Sequence, residues 1–151
     1  MKQFRKLSLP LFTLFVQFYL TTYSPPSLGL LTLNTLTAAD YVLIPLQAEY
    51  LATQGLTKLI EVVEKIQRRL NKALQIGGVF ITQFDGRKIL NRNVVESVDS
   101  IYKEYLLTSC IRENVALAEA PAVGYGIFRY SPKSNGAEGY LSLANELLSK
   151  L

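Results

Sequence analysis

Three short apolar runs, separated by segments of helical period, constrain the fold of this 151-residue chain more than any other feature. The runs are YVLIPLQ from Tyr41, IGGVFIT from Ile76 and LLTSCI from Leu106. Runs of this length and composition are typical of strands buried on both faces of a sheet. Because the strands alternate with helices, the sequence predicts an α/β fold with a mainly parallel sheet and flanking helices.

The segments between the apolar runs place their apolar residues at the spacing of one helix face. A short helix is expected over 28–38. A longer helix is expected from about Thr53 to Leu70, with a stripe formed by Leu56, Leu59, Ile60, Val63, Ile66 and Leu70. Asn71 is expected to cap the end of this helix.

The second half of the chain is predicted to contain longer loops. A loop over 83–93 precedes a helix over 94–105. Residues 112–136 are expected to be mostly loop, with a helical turn over 115–119.

The last helix is predicted to follow Asn135, which with Glu138 resembles a capping box. Its inner face is expected to carry Tyr140, Leu141, Ala144, Leu147 and Leu148.

Composition restricts the chemistry that is available. Hydrophobic residues make up 49% and charged residues 19% of the chain, which indicates a folded domain. The absence of His from the sequence excludes Ser–His and Cys–His nucleophile pairs and His-based metal sites. The single Cys, Cys110, has apolar neighbours and is expected to be a small buried residue, not a reactive thiol. The net charge of +4 permits contact with nucleic acid but does not require it.

The first 23 residues differ from the rest of the chain. Three basic residues precede an apolar run from Leu7 to Leu20, which is the outline of a signal peptide. No clear small-x-small cleavage site follows, and the run is shorter than the about 20 residues that span a membrane. A buried strand that leads into the following Pro-Pro turn is the favoured interpretation, with a signal peptide or membrane anchor as the alternatives.

A ligand site is expected where the strands end, because open parallel sheets bind ligands beyond the carboxyl ends of their strands. Three loops leave those ends: YSPPSLG, TQFDGRKILNRN and IRENVALAEAP. The second loop holds Arg87, Lys88 and Arg92, a cluster that suits either the phosphates of DNA or an ordinary solvated loop. No phosphate loop of the GxxxxGKS/T pattern occurs in the 151 residues.

Four segments, in order and at similar spacing, resemble the carboxyl-terminal part of ParA/Soj-type partition ATPases. They are SPPSLGLLTLNTLTAADYVLIPLQAEYLATQGLTKLI, GVFITQFDGR, ENVALAEAP and YSPKSNGAEGYLSLANELL. The resemblance covers residues 24–151, which follow the divergent apolar segment of residues 1–23. It implies a partial P-loop NTPase-like domain that lacks the phosphate-loop half.

The resemblance also implies site residues, cofactors and partners. A turn that responds to nucleotide in the family corresponds to Pro25, Pro26, Ser27, Leu28 and Gly29. Thr82 and Asp85 correspond to the nucleotide-base region, and a DNA-binding surface is implied for Arg87, Lys88, Arg92 and Arg112. ATP and Mg are the implied cofactors. The implied partners are non-specific DNA, a ParB-type protein and a second ParA-type chain, either a homodimer or an intact paralogue, in the cytoplasm or on the nucleoid.

The chain departs from the family pattern at positions that carry the family's chemistry. Tyr23 stands where the Walker B strand ends in Asp, and the Gly-rich phosphate loop is absent. Ala116 replaces a basic residue of the family's DNA surface, and Glu113 stands where the family often has Arg, with Arg112 as a partial replacement. The resemblance therefore implies a truncated partitioning protein that neither binds ATP and Mg nor hydrolyses ATP on its own, and that binds DNA weakly.

Two other functions stay open. One is a non-enzymatic DNA- or partner-binding module derived from such an ATPase. The other is a secreted or membrane-anchored product that uses residues 1–23.

Overall fold

The computed structural model describes residues 29–150, and the interpretations of residues 1–28 lie outside this range. Helices and strands alternate as the sequence predicted. In chain order the elements are α1 (Leu30–Ala38), β1 (Tyr41–Gln47), α2 (Tyr50–Arg69), β2 (Gln75–Phe84), α3 (Ile89–Tyr102), β3 (Leu106–Arg112), α4 (Val115–Ala122), α5 (Ile127–Tyr130) and α6 (Asn135–Lys150).

The three strands form a parallel sheet in the order β1-β2-β3, which confirms the predicted fold class. The prediction that β1 is buried on both faces is wrong. Its Ile44 and Leu46 are buried, whereas Leu43 and Pro45 on the other face are exposed. The reason is that β1 lies at the edge of the described strands, where proline is tolerated and where the described helices cover one face only.

Helices cover the two faces of the sheet with separate apolar clusters. On one face, α2 and α3 pack against all three strands through Ile44, Leu46, Leu56, Ile60, Val79, Ile81, Val94 and Val98, with Cys110 half-buried beside them. On the other face, α6 packs through Phe80, Leu107, Ile111 and Leu143. A third cluster joins α1 to the end of α2 through Leu36, Val63, Ile66 and Leu74.

Asn71 does more than cap the end of α2, which is the role that the sequence predicted for it. Its backbone N–H donates to Ile66 O at 2.9 Å, which terminates the helix as expected. Its side-chain Nδ2 also donates to Leu36 O at 3.2 Å and to Ala39 O at 2.7 Å. These bonds satisfy carbonyl groups at the end of α1, so that one amide fixes both helix ends to each other.

The predicted loop over 83–93 is too long. Only Asp85 to Lys88 separate β2 from α3, because Asn91 holds the segment in a helical turn. The Asn91 side chain is buried; its Oδ1 accepts from Asp85 N at 2.8 Å and its Nδ2 donates to Ala48 O at 2.7 Å. The region over 112–136 likewise contains α4 and α5 where mostly loop was predicted.

The last helix turns a partly different face to the sheet from the one that was predicted, since only Leu147 of the five predicted inner residues packs against the cluster beneath it. Ala137 and Leu143 are buried, whereas Tyr140, Leu141 and Leu148 are exposed by 39%, 55% and 65%. The side chain that caps the helix is that of Ser134, not Asn135, since Ser134 Oγ accepts from Ala137 N at 3.2 Å.

Two contacts of α6 account for this rotation. Gly139 lies so close to β3 that a Cβ atom there would stand 3.1 Å from Cys110 O. The Glu146 carboxylate accepts hydrogen bonds from Thr108 N at 2.9 Å and Ser109 N at 2.8 Å. Both contacts require the same side of the helix to face the strand, so the apolar residues on the other side remain in solvent.

Replacing Gly139 by Ala should show how much this close approach matters. An Ala in a helix interior stabilises the helix by about 1 kcal/mol over Gly, and we expect that gain for the control Gly55→Ala, whose Cβ meets nothing within 4 Å. Gly139→Ala should instead lower the free energy of unfolding by about 1 kcal/mol, because its Cβ meets backbone. Urea unfolding of both variants measures the difference, and equal stabilisation of the two would contradict the packing described for α6.

The Glu146 carboxylate should make stability depend on pH. Burial alone would raise the pKa of Glu146, but hydrogen bonds from Ser109 and Thr108 outweigh it and lower the pKa from 4.5 to about 2. A folded-state pKa below the unfolded one stabilises the fold above about pH 5, and this contribution is lost as the pH falls toward 2.

We therefore expect Glu146→Gln to lower the free energy of unfolding by about 1–3 kcal/mol at pH 7, and by progressively less between pH 5 and pH 3. Urea unfolding across this range tests the expectation. The exposed Glu96 on α3 supplies the matched control, Glu96→Gln. If Glu146→Gln lowers the free energy of unfolding equally at every pH, or if Glu96→Gln lowers it by the same amount, the Glu146 carboxylate is not the source of the pH-dependent stability.

Candidate nucleic-acid and nucleotide interface

The loops that follow β2 and β3 meet at the carboxyl edge of the sheet. Phe84, the last residue of β2, is paired with Arg112 at the end of β3. Glu113 N donates to Phe84 O at 3.1 Å, which joins the first residue after β3 to the end of β2. The structure thereby gathers the predicted cations at one edge.

Arg87 is bound to the carboxylate that precedes it by two residues. Its Nε donates to Asp85 Oδ1 at 3.0 Å and its Nη2 to Asp85 Oδ2 at 2.8 Å, while the backbone N–H of Arg87 donates to Oδ1 at 3.0 Å. Hydrogen bonds from Arg87 lower the pKa of Asp85 to about 2, so this carboxylate is ionised at neutral pH. Arg87 remains 91% exposed, yet its guanidinium already has an anionic partner.

The other two cations of this loop also have acceptors. Lys88 Nζ donates to Glu113 Oε2 at 2.6 Å, an ion pair between the two loops, and this hydrogen bond raises the pKa of Lys88. Arg92, in the first turn of α3, donates from Nη1 to Gly86 O at 2.6 Å. Both side chains that form the ion pair are more than half exposed, so solvent and salt screen the pair.

The four predicted cations face two carboxylates at this edge. Arg112 is exposed, and Glu113 next to it is the partner of Lys88. Four positive charges and two negative ones leave a net charge of 4 − 2 = +2 for the surface formed by Asp85, Arg87, Lys88, Arg92, Arg112 and Glu113. We call this surface the basic loop surface.

Asn91 is a residue of this site that sequence reasoning missed. Its side chain connects the backbone of Asp85 to Ala48, the residue that follows β1. The signal was available, since Asn91 stands three and seven residues before the buried Val94 and Val98 and therefore on the inner face of α3. A polar side chain at such a position needs hydrogen-bond partners, and here those partners fix the base of the loop.

The predicted nucleotide positions are only partly within the described residues. Pro25, Pro26, Ser27 and Leu28 of the Pro-Pro turn lie outside them, whereas Gly29 is described and its carbonyl accepts from Leu33 N at 3.1 Å at the start of α1. Thr82 is half-buried in β2, and its carbonyl accepts from Ala48 N at 3.2 Å.

Over 29–150 there is no group of three or more Asp, Glu, Cys or His side chains that could hold a metal ion. Asp85, the carboxylate of the predicted nucleotide-base region, is bound to Arg87. No catalytic step is assigned to the described residues.

None of the helices over 29–150 combines the length and the apolar composition that spanning a bilayer requires.

Comparison with known proteins identifies relatives of the kind that the four segments resemble. A family profile described as "AAA domain" matches residues 19–76, beginning five residues before the boundary predicted at residue 24. The sporulation initiation inhibitor protein Soj of Bacillus subtilis (strain 168) is 46% identical over 129 residues, which are 85% of this chain and 51% of that protein. The chromosome partitioning protein ParA of Myxococcus xanthus (strain DK1622) is 43% identical over 132 residues, or 87% of this chain and 47% of that protein.

A solved structure shares the fold. Cobyrinic acid a,c-diamide synthase from Mycobacterium smegmatis, crystallised with ADP and magnesium, is 34% identical with a TM-score of 0.64 and is matched over 82% of this chain and 44% of that one. The chain spans about half the length of the curated relatives it matches. As the four resembling segments predicted, it is a homologue of the ParA/Soj family of partition ATPases.

Proposed function

We propose that this chain is a ParA/Soj-like protein of chromosome or plasmid partitioning that binds DNA without sequence preference through the basic loop surface. The observation that carries the proposal is its identity of 43–46% to the partition proteins Soj and ParA. The gathering of Arg87, Lys88, Arg92 and Arg112 at one edge of the sheet supports it, since exposed cations in one patch bind DNA phosphates.

The internal ion pairs make this DNA binding weak. A phosphate that approaches Arg87 competes with Asp85, and one that approaches Lys88 competes with Glu113. Both acids stay close to the cations when DNA is absent, so phosphate contacts replace existing ones and do not simply add to them. A net charge of only +2 on the surface is consistent with low affinity and strong dependence on salt.

Substitutions can separate the contribution of the cations to DNA binding from the competition by the acids. We expect Arg87→Ala to weaken binding to a random-sequence duplex about threefold to tenfold and to reduce the salt slope by about one. Glu113→Gln should strengthen binding by a similar factor, because it frees Lys88 and removes a negative charge. Fluorescence anisotropy between 50 and 200 mM salt, about the range over which phosphate contacts respond, measures both effects.

The control for this experiment is Lys103→Ala. Lys103 is an exposed cation that follows α3 on the side where β3 begins, at the edge opposite to the basic loop surface. The same loss in Lys103→Ala as in Arg87→Ala would mean that overall charge, and not this surface, binds DNA. An affinity for DNA that does not change with salt concentration would contradict the proposal.

We further propose that the chain does not hydrolyse ATP by itself and acts as a DNA- or partner-binding module. Its 151 residues contain no GxxxxGKS/T loop, and Tyr23 stands at the position that the family resemblance assigns to the Walker B Asp. Phosphoryl transfer depends on positioning of the phosphates and on the metal. A ParB-type protein and a second ParA-type chain, in the cytoplasm or on the nucleoid, are the partners that the family suggests.

Phosphate release from ATP-Mg should stay at the level of a protein-free blank for the purified chain, because its sequence contains no GxxxxGKS/T loop and residues 29–150 contain no cluster of metal ligands. A complete ParA-type ATPase prepared in parallel shows that the assay detects turnover. Activity that elutes with the chain through two different chromatographic steps would contradict this proposal. DNA binding that is equal with and without ATP-Mg would support the binding module.

A further inference from the structure

A groove between α1 and α2 combines an apolar floor with a positively charged rim. It has a volume of about 450 Å³ and is lined by Leu33, Val62, Lys65, Ile66, Arg69 and Leu70. Leu70, which the sequence assigned to the inner stripe of α2, is 61% exposed and forms one end of the floor. The side chains of Lys65 and Arg69, one helical turn apart, stand along one wall.

Within the described part of the chain, Lys65 and Arg69, which line the groove, lack the acidic partners that the basic loop surface has. They stand with Arg68 and Lys72 in a stretch of eight residues that follows Glu61 and Glu64, and the next acidic residue is Asp85. Within 29–150, the ion pairs of this group are limited to Arg68 with Glu64, at 3.9 Å and with both side chains more than half exposed. The rim of the groove therefore presents two positive charges with no carboxylate within 4.0 Å among the described residues.

The opposite wall of the groove carries no charge. It belongs to α1, whose sequence LLTLNTLTA contains neither acidic nor basic residues. A ligand of the groove would thus meet cations on its α2 side and the apolar Leu33 on its α1 side.

We infer that the groove binds an amphipathic helix of a partner protein, with apolar side chains at i, i+3, i+4 and i+7 on the floor and Asp or Glu along one flank. A concave apolar floor accepts protruding side chains of this spacing, as other helix-binding grooves do. The acidic flank pairs with Lys65 and Arg69, and the α1 side leaves the other flank uncharged. Charge complementarity of this kind sets the orientation of the bound helix.

Two other anionic ligands suit the groove less well. Duplex DNA offers phosphates but no apolar side chains for the floor formed by Val62, Ile66 and Leu70. A bilayer surface presents anionic headgroups on a plane, whereas this apolar surface is concave. The chain's own apolar run of residues 7–20 is flanked by Lys2, Arg5 and Lys6, whose charge is the same as that of the rim.

Fluorescein-labelled 18-residue peptides and the full-length chain test the inference by anisotropy. The first peptide has Leu at the spacing given above and Glu on one flank. The second has Lys in place of each Glu, and the third has the composition of the first in a permuted, non-amphipathic order. We expect the first peptide to bind at least about tenfold more tightly than the other two, since both charge and spacing are required.

Neighbouring arginines supply a matched pair of variants. Arg69→Glu should weaken binding of the first peptide about tenfold, because Arg69 lines the groove, whereas Arg68→Glu makes the same change outside it and should cost less than about threefold. Leu70→Gln should weaken binding about fivefold through the loss of apolar contact. Circular dichroism and thermal unfolding verify that each variant is folded.

Several results would overturn the inference. Equal effects of Arg68→Glu and Arg69→Glu would place the binding outside the groove. Equal affinity for the first and the permuted peptide would show that binding does not require an amphipathic helix. Absence of peptide binding would also overturn it. Anionic vesicles or duplex DNA that bind when the peptides do not, and that bind more weakly to Arg69→Glu, would show that these cations bind phosphate instead.

Discussion

The central strand β2 is the element on which the rest of the structure depends. It bonds to β1 on one side and to β3 on the other, and its two faces are buried against different helices. Val79 and Ile81 pack under α2 and α3, whereas Phe80 packs under α6. The glycine at position 78 permits this packing, because a Cβ atom there would stand 2.7 Å from Leu107 Cγ. Since β2 ends at Phe84, it also sets the position of the loop that carries the predicted DNA-binding cations.

The two positively charged regions of the molecule differ in how their charge is compensated. Three of the four cations of the basic loop surface contact Asp85, Glu113 or the Gly86 carbonyl, so that part of their hydrogen-bonding capacity is used within the chain. The rim of the α1–α2 groove has no such acceptors for Lys65 and Arg69 among the described residues, and it adjoins an apolar floor. Internal compensation favours weak, salt-sensitive contact with phosphates, whereas uncompensated charge beside apolar surface favours a protein ligand.

The sequence predicted the existence and order of the main helices and strands because hydrophobic periodicity is a local property. It was less successful where local signals compete. The loop after β2 was predicted to be long because Asp85 and Gly86 are turn residues, but the buried hydrogen bonds of Asn91 bring the start of α3 forward to Ile89. The inner face of α6 was assigned from its largest apolar residues, whereas the helix turns Gly139 and Glu146 toward β3. The close contact at Gly139 and the two backbone N–H groups that Glu146 satisfies stabilise this orientation by more than the exposure of Tyr140 and Leu141 costs.

By itself the sequence determined the α/β class and the homology to the ParA/Soj family, because both are carried by the spacing and identity of residues along the chain. It also identified the cations at the carboxyl edge of the sheet. Only the tertiary structure decided which charges have partners, because Lys88 and Glu113 are 25 residues apart and meet only when β2 and β3 pair. The α1–α2 groove likewise requires Leu33 and Arg69 to be brought together by the packing of two helices, which no local pattern encodes.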